Sequence, residues 1–157
     1  MQAGPPRGER VGSEEGEGMG EALREVGKVL DGQGKLGDAM TMYEEALRIA
    51  KKNLGPEHAS VGDTLGNMAG VLQTQGKLGD AMTMYEEALR IKKKNLGPEH
   101  ASVGDTLYNM AIVLQQQGNM ATAASTFDEC ARIYASAYGA EHEETKDARK
   151  QAERARA

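Results

Sequence analysis

The chain has 157 residues, room for one domain, with a net charge of −5 and a sequence pI near 5.3. That acidic balance excludes a general nucleic-acid binder, which needs a basic face, and no apolar run approaches the roughly 20 residues of a membrane span. The first twenty residues lack the apolar core of a secretory signal, and the single Cys130 excludes an internal disulfide, so a soluble cytoplasmic protein is expected.

In chain order, residues 1–18 are rich in Gly, Glu and Pro and read as a disordered tail, leaving 19–157 as the folded domain. From Met19 a helical pattern begins, with Leu23, Val26 and Leu30 recurring at three and four residues. A block of 42 residues then runs from Gly34 to Gln75 and is repeated from Gly76 to Gln117 with four differences. A third, drifted copy starts at Gly118. A fixed period of this length marks a stacked-repeat protein, whose units bury their apolar faces against one another.

Each unit reads as two helices. The first carries Leu65, Met68 and Leu72, or Leu107, Met110 and Leu114; the second carries Ala39, Tyr43 and Ala46, or Ala81, Tyr85 and Ala88, or Ala123, Phe127 and Cys130. Gly34, Gly76 and Gly118 mark the short turns within pairs, and NLGPEH (53–58, 95–100) stops each second helix. Ser60 with Asp63, and Ser102 with Asp105, are spaced like capping boxes. The Lys51–Lys52 and Lys92–Lys94 runs fall at helix C-termini, where they complement the macrodipole. Beyond Tyr138 a fourth copy has lost its apolar positions, Arg149 standing where Leu65 and Leu107 stood, so a polar helix is expected to cover the end of the stack. The repeats span about 19–58, 59–100 and 101–142, with the capping helix at about 143–156.

These residues resemble the tetratricopeptide repeat. The pattern is a large residue (Leu23, Leu65, Leu107), a large-plus-small pair (Val26–Gly27, Met68–Ala69, Met110–Ala111), then small, aromatic and small positions on the second helix. The 42-residue period and the stretch LGPEHASVGDTLYNMA are similar to the variety found in kinesin light chains, over about residues 19–142. The resemblance implies an all-α, right-handed superhelical solenoid of three helix pairs plus the C-terminal cap, with a concave groove lined mainly by first helices. It also implies a non-catalytic scaffold that binds protein or peptide. Residues 1–18 carry no heptads of the kind that join light chains to motor heavy chains.

The differences between the near-identical copies are Ala50/Lys92, Gly66/Tyr108, Gly70/Ile112 and Thr74/Gln116. The last three, spaced by four, form one stripe on the first helix, which the resemblance places in the groove. The columns Arg24–Gly66–Tyr108, Lys28–Gly70–Ile112 and Gly32–Thr74–Gln116 then grade from basic to aromatic and aliphatic. Asn67 and Asn109 match an asparagine that in the family hydrogen-bonds the main chain of a bound peptide, since an amide donates and accepts at once. The expected ligand is an extended peptide with an acidic part near Arg24 and Lys28 and an aromatic or apolar anchor near Tyr108 and Ile112. Thr74 and Gln116 complete the expected site. Drift at exposed positions, or firming of a glycine-rich helix, would produce the same stripe.

Other constellations read as structural. His58, His100 and His142 recur once per repeat, too far apart to share a metal, and suit turn packing or capping. Cys130 takes a small packing position, and Glu44–Glu45 and Glu86–Glu87 pair locally with Arg48 and Arg90. No catalytic set, metal site or cofactor is expected. A carboxylate clamp fits less well, because Asp105 stands where a clamp wants a cation. A further alternative is a self-associating fragment of a longer array, using Met19, Leu23 and Val26 of the uncapped first repeat.

Overall fold

The computed structural model describes the backbone of residues 7–157 and the side chains of residues 18–157. The described residues form seven helices: α1 (Arg7–Gly32), α2 (Leu36–Leu54), α3 (Ala59–Thr74), α4 (Leu78–Leu96), α5 (Ala101–Gln116), α6 (Met120–Tyr138) and α7 (Glu143–Arg156). α1 pairs with α2, α3 with α4 and α5 with α6, and α7 packs on α6 as the cap. This is the all-α repeat solenoid that the sequence period implies. The tail expected over residues 1–18 lies outside the described residues up to residue 6. From Arg7 the backbone is helical and continuous with α1. A packed amphipathic stretch carries the costly nucleation, so the chain before it can continue the helix although Gly8, Gly12, Gly16 and Gly18 are poor helix formers.

Two kinds of glycine turn punctuate the stack. Gly34, Gly76 and Gly118 adopt φ of 77°, 77° and 81° after each first helix. The following residue reaches back to the helix, Lys35 N–H to Leu30 and Lys77 N–H to Leu72 at 2.9 Å, the bond of a Schellman motif. Gly55, Gly97 and Gly139 close the second helices at φ of 94°, 89° and 101°. Positive φ strains any residue with a Cβ, so glycine at these six places sets where each helix ends.

The next helix starts on a histidine. His58, His100 and His142 are the N-caps of α3, α5 and α7, each Nδ1 accepting from the N–H two residues on at 3.1, 3.0 and 3.2 Å. The capping boxes read from Ser60–Asp63 and Ser102–Asp105 are therefore corrected. The serines already lie inside the helices, where their carbonyls accept from the Thr64 and Thr106 hydroxyls at 2.9 and 3.3 Å.

Small residues on second helices let neighbouring backbones approach. Ala39, Ala81 and Ala123 are fully buried, as are Tyr43, Phe127 and Cys130, while Tyr85 is nearly so. The Cys130 thiol donates to the Gly104 carbonyl at 3.2 Å, and burial pushes its pKa up to about 12, so it is a core residue with no reactive thiolate. Gly62 and Gly104 are packing positions: an added Cβ would lie 3.0 Å from Ile91 Cγ2 and 2.7 Å from Tyr134 Cε1. The methionines fill gaps in the core, with Met68 buried and Met40, Met82, Met84 and Met110 partly so. On the outside, Glu45 pairs with Arg48 and Glu87 with Arg90, and Arg90 and Arg132 reach back to Glu57 and Glu99 of the preceding turn, each at 2.8 Å.

Candidate binding groove

The first helices α1, α3 and α5 border a cavity of about 290 Å³. Arg24 and Lys28 enter from α1, Gly66 and Asn67 from α3, and Asn109 from α5. Four of the residues singled out by sequence, Arg24, Lys28, Asn67 and Asn109, therefore share one concavity. Among the described residues, no side chain hydrogen-bonds the amide of Asn67 or Asn109. Two free amides, each able to donate and accept, face the same space.

The cavity exists because of glycine. No atom lies within 4 Å of a Cβ built on Gly66, and Gly70 meets only the Tyr85 hydroxyl at 3.8 Å. The three glycines of α3 thus differ in kind: Gly62 permits close packing, while Gly66 and Gly70 leave room.

Electrostatically the cavity is balanced rather than basic. Arg24 pairs with Asp63 at 3.7 Å, and Lys28 with Glu25 at 3.4 Å. Asp63 and Asp105 face the groove, not a helix cap. The Asp105 carboxylate accepts from the Tyr134 hydroxyl at 2.5 Å. Burial, and then that bond, raise the Tyr134 pKa.

Lys92 corrects a second expectation. Only Lys93 and Lys94 occupy the last turn of α4; Lys92 turns inward, lines the cavity and donates to the Thr106 hydroxyl at 3.0 Å. The signal was available, because Ala50/Lys92 is one of the four differences between the copies. It was missed because it falls on a second helix, away from the stripe spaced by four.

Tyr108 and Ile112 lie elsewhere than the predicted free anchor. Tyr108 packs edge-on against Phe127, with ring centroids 5.3 Å apart, and its hydroxyl donates to Asp147 of α7 at 2.6 Å. Burial and that bond push its pKa up to about 12. Ile112 packs into the cluster of Ala111, Phe127 and Ala152. The capping helix covers part of the surface that sequence offered to a ligand, as a terminal helix must in order to bury the last apolar face, and leaves Tyr108 and Ile112 half-buried. Thr74 stays exposed and bonds the Gly70 carbonyl at 3.0 Å; Gln116 bonds Gln73, which accepts from Tyr85. Gln116, Gln73 and Tyr85 thus form a polar string, and neither Thr74 nor Gln116 lines the cavity.

Two models described as tetratricopeptide repeat match the chain, one over residues 18–94 and the other over 103–144. The chain belongs to the tetratricopeptide repeat family. It is similar in fold to the nearly identical TPR-like repeats of a kinesin light chain candidate from Podosopora anserina, with a TM-score of 0.74 at 23% identity, covering 86% of this chain and 64% of that one. It is also similar to BtubC (BKLC) of P. vanneervenii, with a TM-score of 0.63 at 19% identity, covering 87% of this chain and 63% of that one. The N-terminal domain of stress-induced protein-1 from C. elegans gives 0.64 at 15% identity, over 87% of this chain and 96% of that domain. The chain spans less than two thirds of the length of the first two of these structures. No curated protein matches the sequence.

Proposed function

We propose that the chain is a non-catalytic binding scaffold that holds an extended peptide segment of a protein partner in the cavity between α1, α3 and α5. The observation that carries this reading is the pair of unengaged amides, Asn67 and Asn109, facing one polar cavity on successive first helices. Equivalent positions of stacked repeats recur along a line, so two such amides meet successive peptide units of an extended chain irrespective of its side chains. The balance of charge supports a partner without strong net charge, rather than the acidic one read from Arg24 and Lys28 alone. It also disfavours a carboxylate clamp. A role as a cytoplasmic cargo or complex adaptor is the finer form of this proposal, drawn from the light-chain-like fold.

The test is selection from a random peptide library followed by calorimetry on the best binders. Changing both Asn67 and Asn109 to Ala should weaken each selected peptide by about 2–4 kcal/mol while leaving thermal stability in place. Peptides that bind the double variant as well as the parent chain overturn the groove.

One observation favours a second reading, self-association through the first repeat. Val29 of α1 is 60% exposed, whereas its counterparts Val71 and Val113 are 0% exposed beneath the preceding second helix. Met19 and Val26 extend the same bare face. Light scattering across a concentration series separates the two readings: assembly that Val26→Glu with Val29→Glu abolishes supports the second, and a monomer throughout removes it.

A further inference from the structure

Successive first helices are joined at one repeated register, and the middle junction lacks its joining side chain. At the first junction the Arg24 guanidinium meets Asp63 at 3.7 Å. At the last, the Tyr108 hydroxyl meets Asp147 at 2.6 Å. The 42-residue period carries both pairs onto Gly66 and Asp105, where no side chain spans the gap. The aromatic wall and the acceptor that house Tyr108 both have counterparts one repeat earlier. Phe127, the aromatic wall beside its ring, has Tyr85 as its counterpart, and Tyr85 lines the cavity. Asp147, the acceptor at its tip, has Asp105 as its counterpart, with one oxygen on Tyr134 and the second without a partner among the described residues. Ile112, which crowds the Tyr108 site, is replaced by Gly70.

We infer that the Gly66 slot receives a flat, donor-tipped side chain of the bound partner, an arginine or a tyrosine, whose tip donates to Asp105 and so completes the missing junction. The inference rests on the groove reading above and specifies its side-chain pocket. The neighbouring junctions show both sources to be compatible with the geometry, one using a guanidinium and the other a phenol. Three positive groups (Arg24, Lys28, Lys92) and three negative ones (Glu25, Asp63, Asp105) line the slot, so its lining carries no net charge to repel a donor. The competing chemistry is a carboxylate on Lys92, whose ammonium donates to the neutral Thr106 hydroxyl.

Titrating the ¹⁵N-labelled chain with p-cresol, ethylguanidinium and propionate separates these cases by NMR. The donor probes should move the amide signals of Gly66, Asp105 and Asn109, p-cresol indicating tyrosine and ethylguanidinium arginine. Affinity for the effective probe should fall by about tenfold or more in Gly66→Tyr, which supplies the missing ring from the chain itself, and should persist in Gly66→Ala. Propionate as the only effective probe, donor binding unchanged in Gly66→Tyr, or no shift with any probe each overturns the inference. A failure here is distinguishable from failure of the groove, because the library peptides and the Asn67/Asn109 variant report on main-chain capture independently of this slot.

Discussion

The Tyr108 hydroxyl donates to Asp147 at 2.6 Å, tying the last first-type helix of the repeats to the capping helix. A residue that differs between two near-identical repeats is thereby used to hold the end of the solenoid. Replacing Tyr108 by Phe keeps the ring on Phe127 and removes only the hydroxyl. Because the bond is partly exposed, the expected loss is about 1 kcal/mol, read by urea denaturation. Tyr108→Gly removes ring and bond together, and should loosen α7 first, visible as faster amide exchange over residues 143–156 than over α3.

Alkaline pH should unfold the chain through its phenols and its thiol. Burial pushes Tyr43 and Tyr85 up to about 12, and burial with the Asp147 bond does the same to Tyr108. Cys130 rises to about 12 from an ordinary value near 9. Each group has its folded pKa above its unfolded one. Its stabilising contribution is therefore complete below the unfolded value and lost as pH rises towards about 12. Helical ellipticity at 222 nm should hold to about pH 9 and decline between there and 12, in step with phenolate absorbance. Phenols that titrate fully near pH 10 with helicity intact would contradict this.

Histidine caps predict a repeated stability effect. His100→Ala removes the acceptor for the Ser102 N–H and should destabilise by about 0.5–2 kcal/mol, while His100→Asn, which caps by the same geometry, should recover most of it. Denaturant midpoints of the two variants give the comparison, and equal midpoints would remove the capping role.

Two glycines should respond to alanine with opposite signs. In Gly104→Ala the new Cβ falls 2.7 Å from Tyr134 Cε1, so the ring must shift and the expected loss is about 1–3 kcal/mol. In Gly66→Ala the Cβ meets nothing within 4 Å, and helix propensity alone predicts a gain of up to about 1 kcal/mol. A melting temperature that rises in both variants would show the close approach at Gly104 to be slack, and one that falls in both would show that the space beside Gly66 is not open.

Much of the architecture was legible because a period of 42 residues repeats its own punctuation. Glycine at fixed intervals needs positive φ, and Ala, Tyr and Ala on each second helix can pack only against a close neighbour. Those requirements are local, so the helix pairs, their turns and the core columns followed from the residues themselves. The pairing of Arg90 with Glu87 was equally plain, since it spans less than one turn.

What sequence could not decide was which exposed positions stay free once the helices stack. Lys92 read as a member of a basic helix end, and only the angle between α4 and α5 turns it towards Thr106. Tyr108 and Ile112 read as an open anchor, and only the docking of α7 half-buries them and engages the Tyr108 hydroxyl. His58 outcompetes Ser60 as a cap because the chain path at the turn places its Nδ1 over the first N–H groups. Sequence by itself determined the repeat, its helices and its core, through backbone conformation and near-neighbour packing. The tertiary structure alone decided that Tyr108 meets Asp147 while its counterpart Gly66 lines a cavity, because contacts between residues a whole repeat apart depend on how the units are rotated upon one another.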